Sequence, residues 1–291
     1  LQTSTWLQLE GKRYYADAHG AALTGRQNVD NAEYYFDNDG VMQANRWIDQ
    51  DGLSFYVQSS GIIATNTWLH LGDKWFYANE VGAKSIGLVK VGASWYHFNN
   101  DGSMTASTWK QVSAHWYYAN ADGAMATGWQ QIDGTWYYFG TNGAAATGTQ
   151  KVKNALYSFD DQGAMRANTW VKDKDTWYYA NPDGDLAANT WKLVNGAWYH
   201  FNADSKMETG LVTVNGTRYY LDPATGAMAD GRWVKDDSTW YYANPDGAIA
   251  TGWKQVDGAW YYLQPNGAMT TGWATIDGDR FYFHNSGALI R

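Results

Sequence analysis

One feature constrains this chain above all others: it repeats itself every 20 to 22 residues from end to end. Thr251-Gly252-Trp253-Lys254-Gln255-Val256-Asp257-Gly258-Ala259-Trp260-Tyr261-Tyr262 is matched by Thr127-Gly128-Trp129-Gln130-Gln131-Ile132-Asp133-Gly134-Thr135-Trp136-Tyr137-Tyr138. With the first Trp as position 1, the equivalent residues are Trp6, Arg26, Trp47, Trp68, Leu88, Trp109, Trp129, Thr149, Trp170, Trp191, Leu211, Trp233, Trp253 and Trp273, which makes fourteen copies. They cover residues 1–291 as a single repeat module with no linker. A unit this short cannot bury an apolar face alone, so the copies must stack on one another.

The composition follows from the repeat. Ten of the 18 Trp stand at position 1 and eight at position 8, while the 22 Tyr divide between positions 9 and 10 and the nine Phe between 9 and 11. Positions 5 and 6 often read Asp-Gly or Asn-Gly, as at Asp51-Gly52, Asn195-Gly196 and Asp277-Gly278. That pair is the strongest short-range signal for a two-residue hairpin turn. Each copy is therefore expected to be a β-hairpin in which position 1 pairs with 10 and position 3 with 8. Strand alternation then puts positions 1, 8 and 10 on one face and positions 4, 9 and 11 on the other. Position 9 is aromatic and position 11 apolar in every copy, so that face reads as core, with position 4 as part of it. Positions 1 and 8 drift to Arg, Glu, Thr and Leu, which marks a face that meets solvent or ligand. After each hairpin a Gly-containing polar loop precedes a slot that holds all seven Met.

The net charge of -8 excludes a protein that neutralises phosphates with clustered Lys and Arg, so no nucleic-acid partner is expected. There is no Cys and no apolar run long enough for a membrane helix, and membrane insertion is not expected. Loops such as Asp37-Asn38-Asp39-Gly40 lack the closing Glu of a calcium loop, and the six His share no ligand spacing, so neither a metal nor a cofactor is anticipated. No nucleophile elbow, zinc-protease motif or phosphate loop occurs, and an active site should break the repeat once instead of recurring in it. The chain is read as non-catalytic, a targeting fragment of a longer secreted or surface protein that carries its catalytic or effector part elsewhere.

The unit Gly-Trp-x6-Trp-Tyr-Tyr-x4-Gly-x-Met-x-Thr-Gly-Trp resembles the choline-binding, or cell-wall-binding, repeats of Gram-positive surface proteins and lysins. The glucan-binding repeats of glucansucrases and the repeats of clostridial toxins look related. Thr147-Gly148-Thr149-Gln150 with Tyr157 and Phe159 resembles the glucan-binding version more closely. The resemblance implies an all-β fold, a left-handed β-solenoid of about fourteen stacked hairpins, each turned by about a third of a revolution from the last. It also implies cages made of two Trp from one hairpin and an aromatic residue from the next, often with a Met. Carried over, these are Trp109, Trp116, Tyr138 and Met125; Trp191, Trp198, Tyr220 and Met207; Trp253, Trp260, Tyr282 and Met269; and Trp233, Trp240 and Tyr262. Trp68 with Trp75, Trp129 with Trp136 and Trp170 with Trp177 keep both Trp, but the next position 10 is His97, Ser158 and His200, so a third ring is expected to be missing there.

The chemistry of such cages suits a quaternary ammonium, which donates no hydrogen bond and is held by ring faces worth roughly 0.5–2 kcal/mol each. The expected function is multivalent anchoring to choline-substituted teichoic acid at the bacterial cell surface. An α-glucan polymer is the alternative partner, with Gln27 and Gln150 as candidate hydroxyl binders, and an adhesive solenoid binding protein or host glycan is a third. Every third copy lacks Trp at position 1, at Arg26, Leu88, Thr149 and Leu211, so one column of the stack is expected to carry a different chemistry.

Overall fold

The computed structural model describes residues 2–290, and every repeat in it is an antiparallel hairpin of two five-residue strands. The first is Thr5–Leu9 with Lys12–Ala16, and the last, Gly272–Ile276 with Asp279–Phe283, gains a short third strand, Leu289–Ile290. The register is the expected one: Trp129 faces Tyr138, Gln131 faces Trp136, and Ile132 faces Thr135. At Asp51-Gly52 and Asn195-Gly196 both turn residues have positive φ, between 50° and 84°, which is why Asn or Asp followed by Gly recurs there.

The chain divides into two compact units, Leu1–Ala146 and Thr147–Arg291. Seven hairpins lie in each. Within a unit, successive hairpins are joined through the segment around the Met slot. The slot residue forms a single antiparallel bridge to position 11 of its own hairpin, as Met104 does to Phe98 and Met207 to Phe201. Its N–H donates to the position 8 carbonyl of the preceding hairpin, Met104 to Trp75 at 2.7 Å and Met207 to Trp177 at 2.9 Å. The link therefore satisfies backbone groups of two hairpins at once, which an isolated hairpin would leave to water.

Position 11 is the core. All fourteen residues there, from Ala16 to Phe283, are at most 2% exposed. Position 9 is buried or half-buried throughout. At position 4, Val29, Ile132, Val152 and Ile276 are buried as expected, while Leu9 of the first hairpin is 58% exposed. Position 2 adds to the core, with Leu69, Val171 and Val234 buried. In the loops, Asp37 accepts from the N–H groups of Asp39 and Val41 and from Gln43, so its carboxylate is committed to turn geometry.

Candidate functional site: aromatic cages between successive hairpins

In a complete pair the two Trp of one hairpin stand edge to face. Ring centroids are 6.4 Å apart for Trp68 and Trp75, 6.3 Å for Trp109 and Trp116 and for Trp129 and Trp136, 6.1 Å for Trp170 and Trp177, and 6.4 Å for Trp253 and Trp260. The members of a pair are not equivalent. The first packs under the next hairpin: Trp68 lies 4.8 Å from Tyr96 and 5.8 Å from Phe98, and Trp170 lies 4.8 Å from Tyr199 and 5.8 Å from Phe201. The second stays open in six pairs, with Trp75, Trp136, Trp177, Trp198, Trp240 and Trp260 between 40% and 44% exposed, while Trp116 is half-buried. The first Trp is thus a structural and a site residue together, more tightly held than its sequence variation suggested.

The ring supplied by the next hairpin comes from position 9 and not from position 10. Trp109 meets Tyr137, Trp191 meets Tyr219, Trp233 meets Tyr261 and Trp253 meets Phe281, at 4.7 to 5.0 Å. The residues expected in that place lie elsewhere. Tyr138 and Tyr262 meet the first Trp of their own hairpins, Trp129 and Trp253, edge to face, and Tyr282 meets Trp273 at a tilt. Tyr220 is buried in a core cluster with its hydroxyl donating to the Lys235 carbonyl at 3.1 Å; burial and the nearby Asp236 and Asp222 hold its phenol above the usual range.

The Met is displaced by one repeat in the same way. Met125 packs with Leu88 and Trp95 of the preceding hairpin, Met207 serves Trp170 and Trp177, and the Met269 N–H donates to the Trp240 carbonyl. Consequently the sites at Trp68/Trp75 and Trp170/Trp177, expected to lack a ring because His97 and His200 follow, each receive a ring and a Met. His97 hydrogen-bonds Thr105 at 2.9 Å, and His200 is buried against Glu208 at 2.5 Å.

Two cavities open on these sites. The larger, about 690 Å³, is lined by Trp68, Trp75, Tyr96 and Met104, with Asp73, Lys74 and Ser103, and by Ala121 and Asp122 from the loop after the hairpin of residues 108–119. The second, about 290 Å³, has the same construction from Trp170, Trp177, Tyr199 and Met207, with Ala224 and Thr225 also lining it. Both cavities are thus walled by aromatic rings of two successive hairpins and a polarizable thioether, and the first also by the carboxylates of Asp73 and Asp122. Lys74 pairs with Asp101 at 3.0 Å, and hydrogen bonds from Ser103, then Lys74, hold the Asp101 carboxyl well below the usual range.

The Thr149 copy is built differently. A cavity of about 270 Å³ is lined there by Thr149, Ser158, Asp160, Asp161, Arg166 and Lys172 among others, and the Thr149 hydroxyl is buried without a hydrogen-bond partner. Gln27 and Gln150 donate to the backbone carbonyls of Thr24 and Thr147, at 2.8 and 3.0 Å.

This geometry is that of a β-hairpin repeat class in which aromatic residues of adjoining hairpins pack together. The choline-binding repeat family matches residues 23–68, 126–170, 189–233 and 250–291, and the putative cell wall binding repeat matches residues 66–83, 86–104, 107–125, 168–186 and 231–249. The chain belongs to the choline-binding repeat family. Among solved structures it is similar to choline binding protein F of Streptococcus pneumoniae, at 27% identity and a TM-score of 0.57, over 84% of this chain and 98% of that one. The same protein in complex with ipratropium aligns at 26% identity and a TM-score of 0.55, over the same shares of both chains. CbpJ of S. pneumoniae shares the fold at 24% identity and a TM-score of 0.54, over 98% and 99% of the two chains. No curated sequence matches the chain significantly.

Proposed function

We propose that this chain is a multivalent, non-catalytic module that holds its parent protein at the bacterial cell surface by binding the choline groups of teichoic acid. The observation that carries this reading is the cavity enclosed by Trp68, Trp75, Tyr96 and Met104, together with its counterpart at Trp170, Trp177, Tyr199 and Met207. In the first enclosure the carboxylates of Asp73 and Asp122 outnumber the ammonium of Lys74, which is paired with Asp101, and so favour a positive guest. Two or three rings yield a site of about millimolar affinity, roughly −4 kcal/mol, so retention on a surface depends on many sites meeting a polymer that repeats its ligand. The choline-binding neighbours support the same assignment.

The polar cavity at Thr149 favours a second reading, an α-glucan-type ligand, because an unpartnered buried hydroxyl is a ready hydrogen-bond partner for a sugar. Retention on choline-substituted resin, released by free choline and not by dextran, is the result expected from the first reading. Retardation by dextran without retention on choline resin supports the second.

A further inference from the structure

Three successive junctions near the start of the chain depart from the cage pattern together, and in each a cation of the protein lies on the ring that remains. The Arg13 guanidinium stands 4.6 Å over Trp6, Arg26 stands 4.3 Å over Phe55, and the Lys84 ammonium stands 5.1 Å over Trp47. Arg13 is the position 8 residue of its hairpin, where a second Trp would stand, and the Trp47 hairpin has Ser54 there.

Lys84 occupies the slot that Met104 occupies two hairpins away from Trp47. Its N–H donates to the Ser54 carbonyl at 2.8 Å, as the Met104 N–H does to Trp75, and it bridges Ala78 as Met104 bridges Phe98. Gly102 lies against the Lys84 stem as Gly123 lies against the Met104 side chain. The stem thus follows the path of a cage Met, and the ammonium reaches past it to the Trp47 ring.

We propose that these three junctions are closed to quaternary ammonium ligands by the protein's own cations, and that Lys84 is the residue that excludes such a ligand from Trp47. The inference rests on the cage reading above. A cation over a ring meets the same attraction whether it belongs to ligand or protein, but a tethered one acts at an effective concentration that a free ligand of millimolar affinity must exceed. Lys172 and Lys235 do not have this effect. They lie over Trp177 and Trp240 from the cross-strand position of the same hairpin, at 5.4 and 5.7 Å, and the cavity beside Trp177 remains open.

The test is fluorine NMR of the full chain labelled with 5-fluorotryptophan, titrated with choline chloride, with the Trp6, Trp47, Trp68 and Trp75 resonances assigned by single Trp→Phe variants. In the unmodified protein Trp68 and Trp75 are expected to shift while Trp6 and Trp47 do not. Lys84→Met is expected to bring Trp47 into the titration, and Lys84→Arg, which keeps the charge, is expected to leave it silent. A Trp47 that shifts alongside Trp75 in the unmodified protein overturns the proposal, as does a silent Trp47 in a folded Lys84→Met protein. If Lys84→Met does not fold, the contrast between Trp47 and Trp75 in the unmodified protein decides alone. Silence at all four Trp contradicts the choline reading itself, a different pattern from a failure of capping.

Discussion

At the scale of single residues the two Trp of a pair do different work, and substitution should separate them. Trp177 is 40% exposed, and its ring meets Trp170 edge to face and the Lys172 ammonium of its own hairpin, so Trp177→Ala should abolish ligand binding at that site while costing about 1 kcal/mol or less. Phe201 is fully buried, and Phe201→Ala should cost roughly 3–5 kcal/mol in chemical denaturation. Trp170, wedged against Tyr199 and Phe201, should fall between and lose both properties. Equal costs for Trp177→Ala and Phe201→Ala would show that the open face had been assigned to the wrong residues.

His97 gives a pH-dependent prediction at the same scale. Burial, then the positive charge of Lys110, lowers its pKa below the usual value near 6.5. The unfolded chain therefore binds more protons than the folded one between the two pKa values, and stability rises with pH through that interval. The contribution is fully present above about pH 6.5 and is lost as pH falls through the folded pKa. Thermal melts between pH 5 and 8 should show a smaller acid loss for His97→Gln than for the unmodified protein; an equal or larger loss contradicts the assignment.

At the scale of the hairpin and its link, the loop Gly that lies on the slot residue couples fold to site. Gly123 has a φ of 82°, and a Cβ there would collide with the Met104 thioether. Gly123→Ala should destabilise the protein by roughly 1–3 kcal/mol and weaken binding at Trp68/Trp75 by moving Met104. Gly134→Ala, at a hairpin turn with nothing near its Cβ position, should cost stability through its φ of 80° alone and leave that site intact. Calorimetry on the two variants checks both outcomes.

What was legible in the sequence belongs to this scale. The Asp-Gly turns and two-residue alternation set register and faces within a hairpin, and Trp129 opposite Tyr138 follows from them directly. Contacts between hairpins do not follow, because they depend on the route of the loop. The donation from the Met104 N–H to the Trp75 carbonyl puts the Met of one repeat beside the Trp pair of the previous one, and position 9 over its first Trp. The one local trace of this arrangement is Lys84 in a Met slot one repeat after a hairpin with Ser54 in place of its second Trp.

At the scale of the whole molecule, affinity comes from number. Each weak site stabilises the folded chain by RT ln(1 + [L]/Kd), about 1.8 kcal/mol at a ligand concentration 20 times its Kd, and the contributions of separate sites add. Calorimetric titration of the full chain with choline and, separately, with an isomalto-oligosaccharide counts these sites. Several choline sites of about millimolar Kd are expected, and at most a single class of sugar site, at Thr149. Heat from the sugar at many sites and none from choline would contradict the choline reading.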